Sequence, residues 1–123
     1  MARKKILLAD DSTTALTMGQ AVLPKGVYDV VVARDGRAAV QVALDEAPDL
    51  IILDVVMPHM DGFEACRALR SLESTRTTPI IMVTTRGEPR NIEMGYEAGC
   101  SDYVTKPING TELVSKVRDL LGE

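Results

Sequence analysis

Leu50-Ile51-Ile52-Leu53-Asp54 is an unbroken apolar run that stops on an acidic residue, and Met57-Pro58-His59-Met60-Asp61-Gly62 follows it. Continuous rather than alternating apolar character suits a strand covered on both faces, as in a parallel sheet with helices above and below. The Pro58 turn ends in Asp61-Gly62, a pairing that reads as the start of a helix. Outward from this stretch the pattern repeats. Ile6–Ala9, Val30–Ala33 and Ile80–Val83 are similar runs, and Tyr103-Val104 is a shorter one.

Segments of helical period fill the gaps. Ala39, Val40, Ala43, Leu44 and Ala47 make one apolar stripe, and Leu113, Val117, Leu120 and Leu121 make another. Asp11 or Ser12 is placed to cap the first helix, and Asn109 or Thr111 the last, which has Glu112 in its first turn. Strand followed by helix, five times and without hairpin signals, predicts an α/β fold: a doubly wound (βα)5 parallel sheet. Right-handed crossovers favour the flavodoxin-like strand order 2-1-3-4-5.

The 123 residues suit one domain, residues 1–123, with an aliphatic core, since the chain has no Trp, one Phe and three Tyr. Fourteen Lys and Arg against 18 Asp and Glu leave a net charge of −4, the wrong sign for gripping nucleic acid by its phosphates. Cys66 and Cys100 are too few for a disulfide framework or a zinc site and read as reduced thiols. No apolar stretch approaches the roughly 20 residues that span a bilayer, and the Met1–Lys5 start leads into a run too short for a signal peptide. A cytoplasmic protein that binds neither DNA nor membrane is expected. The last helix leaves only Gly122-Glu123 after it, so no fused effector is expected unless the chain is a piece of a longer one.

In an open parallel sheet, ligands bind at the carboxyl ends of the strands, where strand order reverses. Here those ends carry Asp10-Asp11, Asp54, Thr84-Thr85 and Thr105-Lys106-Pro107. With the first and third strands adjacent, three carboxylates gather at one edge. Two carboxylates about 4 Å apart repel by roughly 4 kcal/mol at an effective dielectric near 20. One ammonium, Lys106, cannot neutralise three. Oxygen ligands without His or Cys favour a hard cation, and so few protein oxygens suit Mg²⁺, which keeps several of its waters. Such a cation beside a Lys and a Thr hydroxyl matches what a transferring phosphoryl group needs. The chain has neither a G-x-x-x-x-G-K-[ST] loop nor G-x-G-x-x-G after the first strand. The phosphoryl group is therefore expected to arrive on something other than a bound nucleotide, with Asp54 as the nucleophile that accepts it.

Taken together, Asp10-Asp11, Asp54, the Met57–Gly62 loop, Thr84 and Lys106-Pro107 resemble a response-regulator receiver domain of two-component signalling, across essentially the whole chain. The set is close to that of a stand-alone, chemotaxis-type regulator. The resemblance implies that Asp54 takes a phosphoryl group from the phosphohistidine of a sensor histidine kinase or a phosphotransfer protein. It implies that Asp11, Asp54 and the backbone carbonyl of Val56 bind Mg²⁺, with Asp10 assisting through water. Lys106 would pair with Asp54 and then with a phosphoryl oxygen; Thr84 would hydrogen-bond the phosphoryl group, and Tyr103 would rotate inward behind it. A downstream protein would read the face made by the fourth helix, fifth strand and fifth helix. Such a protein catalyses only its own phosphorylation and dephosphorylation.

Each residue also has a plainer reading. A lone Asp or Lys at a strand end is ordinarily a solvated turn residue, Thr84 could cap a strand, and Tyr103 could be an edge residue. His59 reads as exposed and non-catalytic, the methionines as core filler with Met57 at the rim, and Cys66 as buried beside Phe63 and Leu69. Gly36 and Gly62 read as turn or helix-start positions. Pro89 to Gly99 is the weakest helical segment because Gly95 and Gly99 each cost roughly 1 kcal/mol relative to Ala in a helix interior, which suits a switch element. Val56 and Arg86 are expected to shield an acyl phosphate, and Thr85 to narrow access to it. An aspartyl phosphatase would want a second Asp where Val56 stands, and a flavin phosphate would be repelled by Asp10-Asp11.

Overall fold

The computed structural model describes residues 3–85 and 88–123. Strands β1 (Lys4–Ala9), β2 (Tyr28–Ala33), β3 (Leu50–Asp54), β4 (Ile80–Thr85) and β5 (Asp102–Lys106) alternate with helices α1 (Thr13–Val22), α2 (Gly36–Glu46), α3 (Gly62–Ser71), α4 (Pro89–Ala98) and α5 (Gly110–Leu121). The sheet is parallel in the order β2-β1-β3-β4-β5, as predicted.

The two faces of the sheet sort the core by strand parity. Leu7, Ile51, Leu53, Ile80 and Met82 point to one side and pack against Ala39 and Ala43 of α2, Phe63, Cys66 and Leu69 of α3, and Ala98 of α4. Ile6, Leu8, Leu50, Ile52, Ile81 and Val83 point to the other and meet Leu16 of α1 and Leu113 and Val117 of α5. Fully buried Ile and Leu side chains contribute about 1.5–3 kcal/mol each, so the three central strands hold the fold. Burial pushes the Cys66 thiol up and the Cys100 thiol up to about 12, so both cysteines sit in the core as neutral thiols.

Several local expectations shift. β2 begins at Tyr28 rather than Val30 and is an edge strand with Val32 40% exposed, so it is not covered on both faces. Ala47 is not part of the α2 stripe: it ends the helix in a left-handed conformation, φ 49°, and Leu44 is exposed. Ser12, not Asp11, caps α1, and Asn109, not Thr111, caps α5. Met57 is buried rather than at the rim, while Met18 is 62% exposed and fills no core. Gly99 does not weaken α4 from within, because it is the left-handed cap at φ 106°, where glycine is favoured. Only Gly95 is interior, and it lets the Cys100 sulfur pack closely on the helix. Arg86 lies outside the described residues.

Candidate functional site

Strand register brings the site together. Ala9 pairs with Leu53 and Asp54 with Val83, so Asp10, one residue on, lies level with Asp54. Thr84 pairs with Thr105 and Thr85 with Lys106, which sets the hydroxyl and the ammonium along the same edge. One carboxylate oxygen from each of Asp10, Asp11 and Asp54 lies within 4.8 Å of the other two, and among the described residues no other acidic, His or Cys group gathers this way.

Asp10 and Asp54 are buried and Asp11 is exposed. The Ser12 amide donates to Asp10 Oδ1 at 2.9 Å, turning the chain into α1. Lys106 Nζ donates to Asp54 Oδ2 at 3.1 Å and lies 3.7 Å from Asp10 Oδ2. Burial pushes the Asp54 carboxyl above its usual range; the Lys106 hydrogen bond opposes this, and the charge of Asp10 adds to it. Burial alone would lower the Lys106 ammonium, but the hydrogen bond and charge of Asp54, together with Asp10, outweigh it and hold it up. Among the described residues, the one ammonium at the cluster leaves its carboxylates under-neutralised.

The donor set fits a hard divalent cation: three carboxylates, with the backbone of the β3–α3 loop alongside, and no soft ligand among them. A second observation points to an anionic ligand. Thr84 is 1% exposed, and its Oγ1 has no hydrogen-bond partner among the described residues. A buried hydroxyl left unpaired costs free energy, and a phosphoryl oxygen at this edge would relieve it.

The loop from Val55 to Asp61 is shaped by its backbone. The Val55 amide donates to Val83 O at 3.1 Å, and the Gly62 amide donates to Val55 O at 2.9 Å. Asp61 caps α3 in a reciprocal capping box with Glu64. A side chain on Gly62 would run into the Asp54 carbonyl, so the helix can start this close to the site only with glycine there. Val56 is 67% exposed at the rim. His59 is exposed too, at φ 68°, with Nε2 4.0 Å from Asp35 Oδ2.

Tyr103, on β5, is half-buried and stands edge-on to Tyr96 of α4, the ring centres 6.1 Å apart. Lys116 of α5 sits 4.8 Å above the Tyr103 ring, donates to the Tyr103 carbonyl and pairs with Asp102 at 3.3 Å. Sequence reasoning missed Lys116 and Tyr96: 13 residues separate Lys116 from Tyr103, and no periodic pattern links them.

A cleft of about 290 Å³ opens beside the carboxylates between α1 and the segment after β5, lined by Asp10, Ser12, Met18, Lys106, Pro107 and Ile108. A larger one, about 620 Å³, lies between Val22 and α5, lined by Arg118, Asp119 and Glu123 and by none of Asp10, Asp11 or Asp54. Of the two, the smaller is the one lined by Asp10 and Lys106.

The sequence model of the response regulator receiver domain matches residues 6–118. The chain is 41% identical over 118 residues to the alkaline phosphatase synthesis transcriptional regulatory protein PhoP of Bacillus subtilis, covering 96% of this chain and 48% of PhoP. It is 39% identical to the response regulator PleD of Caulobacter vibrioides over 94% of this chain and 26% of PleD. The chain therefore spans about half or less of the length of these curated relatives. Among solved structures, it is similar to the receiver domain of the Pseudomonas aeruginosa sensor histidine kinase PA1611, which holds a magnesium ion in its active-site cleft. The TM-score is 0.88 at 33% identity, covering 99% of this chain and 100% of that one.

Proposed function

This chain belongs to the response regulator receiver domain family, whose general function is a phosphorylation-dependent switch, and from that premise we propose that Asp54 is its phosphoacceptor. The observation that carries the proposal is the convergence on Asp54 of the Lys106 ammonium and the Asp10 and Asp11 carboxylates at the end of a fully buried strand.

In the proposed reaction an Asp54 carboxylate oxygen forms a bond to phosphorus as the phosphorus–nitrogen bond of a donor phosphohistidine breaks, and the electron pair returns to the imidazole. The product is an acyl phosphate on Asp54. Asp11, Asp54 and the Val56 carbonyl would hold Mg²⁺, with Asp10 acting through water, and the ion would supply positive charge to the phosphoryl oxygens. Lys106 moves from Asp54 to a phosphoryl oxygen, and the Thr84 hydroxyl donates to another. Both acts place cationic or donor groups where charge spreads. Turnover is confined to the protein's own phosphorylation and dephosphorylation.

Phosphorylation adds about −1.5 to −2 charges. Satisfying Thr84 Oγ1 would draw β4 toward the site and open space for Tyr103 to turn inward, changing the face formed by α4, β5 and α5. The proposed partners are a sensor histidine kinase or phosphotransfer protein as donor and a downstream protein on that face, with no direct nucleic-acid or membrane contact. No described helix is long and apolar enough to cross a membrane; two buried free thiols accord with action in the cytoplasm. Residues 1–123 are proposed as one receiver domain.

Acetyl phosphate with Mg²⁺ tests the acceptor. Asp54→Ala is expected to abolish hydroxylamine-labile phosphorylation and Asp45→Ala to leave it intact; labelling of Asp54→Ala at the wild-type level would overturn the assignment.

A further inference from the structure

Gly36 opens α2, a helix that contributes no ligand to the carboxylate cluster, yet its Cα is pressed against the loop that leaves β3. A Cβ built on Gly36 would overlap the Met60 carbonyl oxygen and fall 2.6 Å from the Met60 carbonyl carbon and 2.9 Å from its Cβ. Contacts with backbone atoms cannot be relieved by a rotamer change. Gly36 is not at positive φ, so conformational freedom does not explain the glycine. Close approach does.

The loop transmits what happens at Met60. Pro58 has its φ fixed by its ring, His59 is held in the left-handed region at φ 68°, and the Met60 amide donates to Pro58 O at 2.7 Å. This turn has little slack to absorb a displacement. At its other end stands Val56, whose side chain is exposed. Val56 lies between two braced residues: Val55, held through its amide and carbonyl by Val83 and Gly62, and Met60, backed by the first turn of α2. The His59–Asp35 contact adds a second link between the loop and the helix start.

We propose that Gly36 is a positioning residue for the Mg²⁺ site: by lacking a side chain it lets the first turn of α2 back the Met60 carbonyl and so fixes the loop that presents the Val56 carbonyl. The inference rests on the Mg²⁺ site proposed above. By linkage, Mg²⁺ binding then tightens the first turn of α2, 20 residues away in sequence from Val56.

Calorimetric Mg²⁺ titration of wild type, Gly36→Ala and Val117→Ala tests this without reading phosphorylation. Val117 is a core residue of α5 remote from the loop and controls for general destabilisation. Gly36→Ala is expected to weaken Mg²⁺ binding by at least about tenfold, the scale seen for residues that support metal ligands, with Val117→Ala matching wild type. Equal affinity in Gly36→Ala and wild type overturns the inference and leaves the site reading standing; absence of Mg²⁺ binding by wild type overturns the site reading, and the inference with it. Hydrogen exchange on wild type decides the matter should Gly36→Ala not fold. Mg²⁺ is expected to slow exchange at the Ala38 and Ala39 amides, which donate to Asp35 Oδ1 and Asp35 O. Slowing confined to residues 55–61 overturns the inference.

Discussion

Lys106 donates to Asp54 across 52 residues of sequence, at 3.1 Å, yet the Asp54 carboxyl is still pushed upward. Burial and the neighbouring Asp10 charge outweigh one ammonium. The fold therefore disfavours the charged form of Asp54.

Asp54→Asn is therefore expected to stabilise the protein near neutral pH in the absence of divalent ions. A carboxyl whose folded pKa lies above its unfolded value contributes its full stability below about pH 4 and loses it as pH rises through the folded value. The advantage of Asp54→Asn should thus be greatest at neutral pH and vanish in acid. About 1 kcal/mol, or roughly 3–6 °C in Tm, is expected. Thermal melts in chelator across pH check it, and a variant no more stable than wild type at pH 7.5 counts against it.

Val56→Asn is expected to shorten the life of the acyl phosphate. The Val56 side chain stands exposed at the rim of the site and offers an attacking water no hydrogen bond, whereas a carboxamide would. One such bond, at about 1 kcal/mol, corresponds to roughly fivefold faster loss. Timing phosphate release after acetyl phosphate loading reads it; loss equal to or slower than wild type sinks the idea.

Lys116→Met should loosen Tyr103 while keeping most of the packing of the side-chain stem. It removes the ammonium from above the ring, the bond to the Tyr103 carbonyl and the pairing with Asp102. A cation over an aromatic ring contributes about 0.5–1 kcal/mol at exposed sites, so the inward ring population is expected to rise by about two- to fivefold without phosphorylation. Side-chain couplings of Tyr103 measured by NMR report the rotamers, and wild-type populations in the variant would refute a restraining role.

Arg70→Ala is expected to cost about 2–3 kcal/mol, with Arg70→Lys recovering only part. The guanidinium donates to the carbonyls of Gly99, Thr75, Arg76 and Thr78, at 2.6–3.2 Å, and to Ser101 Oγ at 3.4 Å. It ties the end of α3 to the segment before β4 and to the start of β5. Urea unfolding gives the value; a loss below about 0.5 kcal/mol, the level of an ordinary surface substitution, would show the hub to be redundant.

The apolar runs and caps made much of this fold readable in sequence because both depend on residues within a few positions of one another. Asp54 could be placed at a strand end from Leu50–Leu53 alone. The rule that parallel sheets bind ligands at their carboxyl edge then joined it to Asp10, Thr84 and Lys106. Gly99 was misjudged because a helix-breaking residue and a helix-capping residue are the same amino acid, told apart only by the backbone. The exposed face of β2 was misjudged because Val30-Val31-Val32 reads alike at the edge and in the centre of a sheet.

What the sequence determined by itself was the alternation of strand and helix, and with it which residues stand at the strand ends, since period and capping are local properties of the chain. What only the tertiary structure decided was contact between distant segments: Gly36 against Met60, Lys116 over Tyr103, Arg70 among four carbonyls, and Thr84 buried without a partner among the described residues. Such contacts arise when helices pack onto the sheet at distances set by side-chain volume. That packing is a property of the assembled core, and no short stretch of residues encodes it.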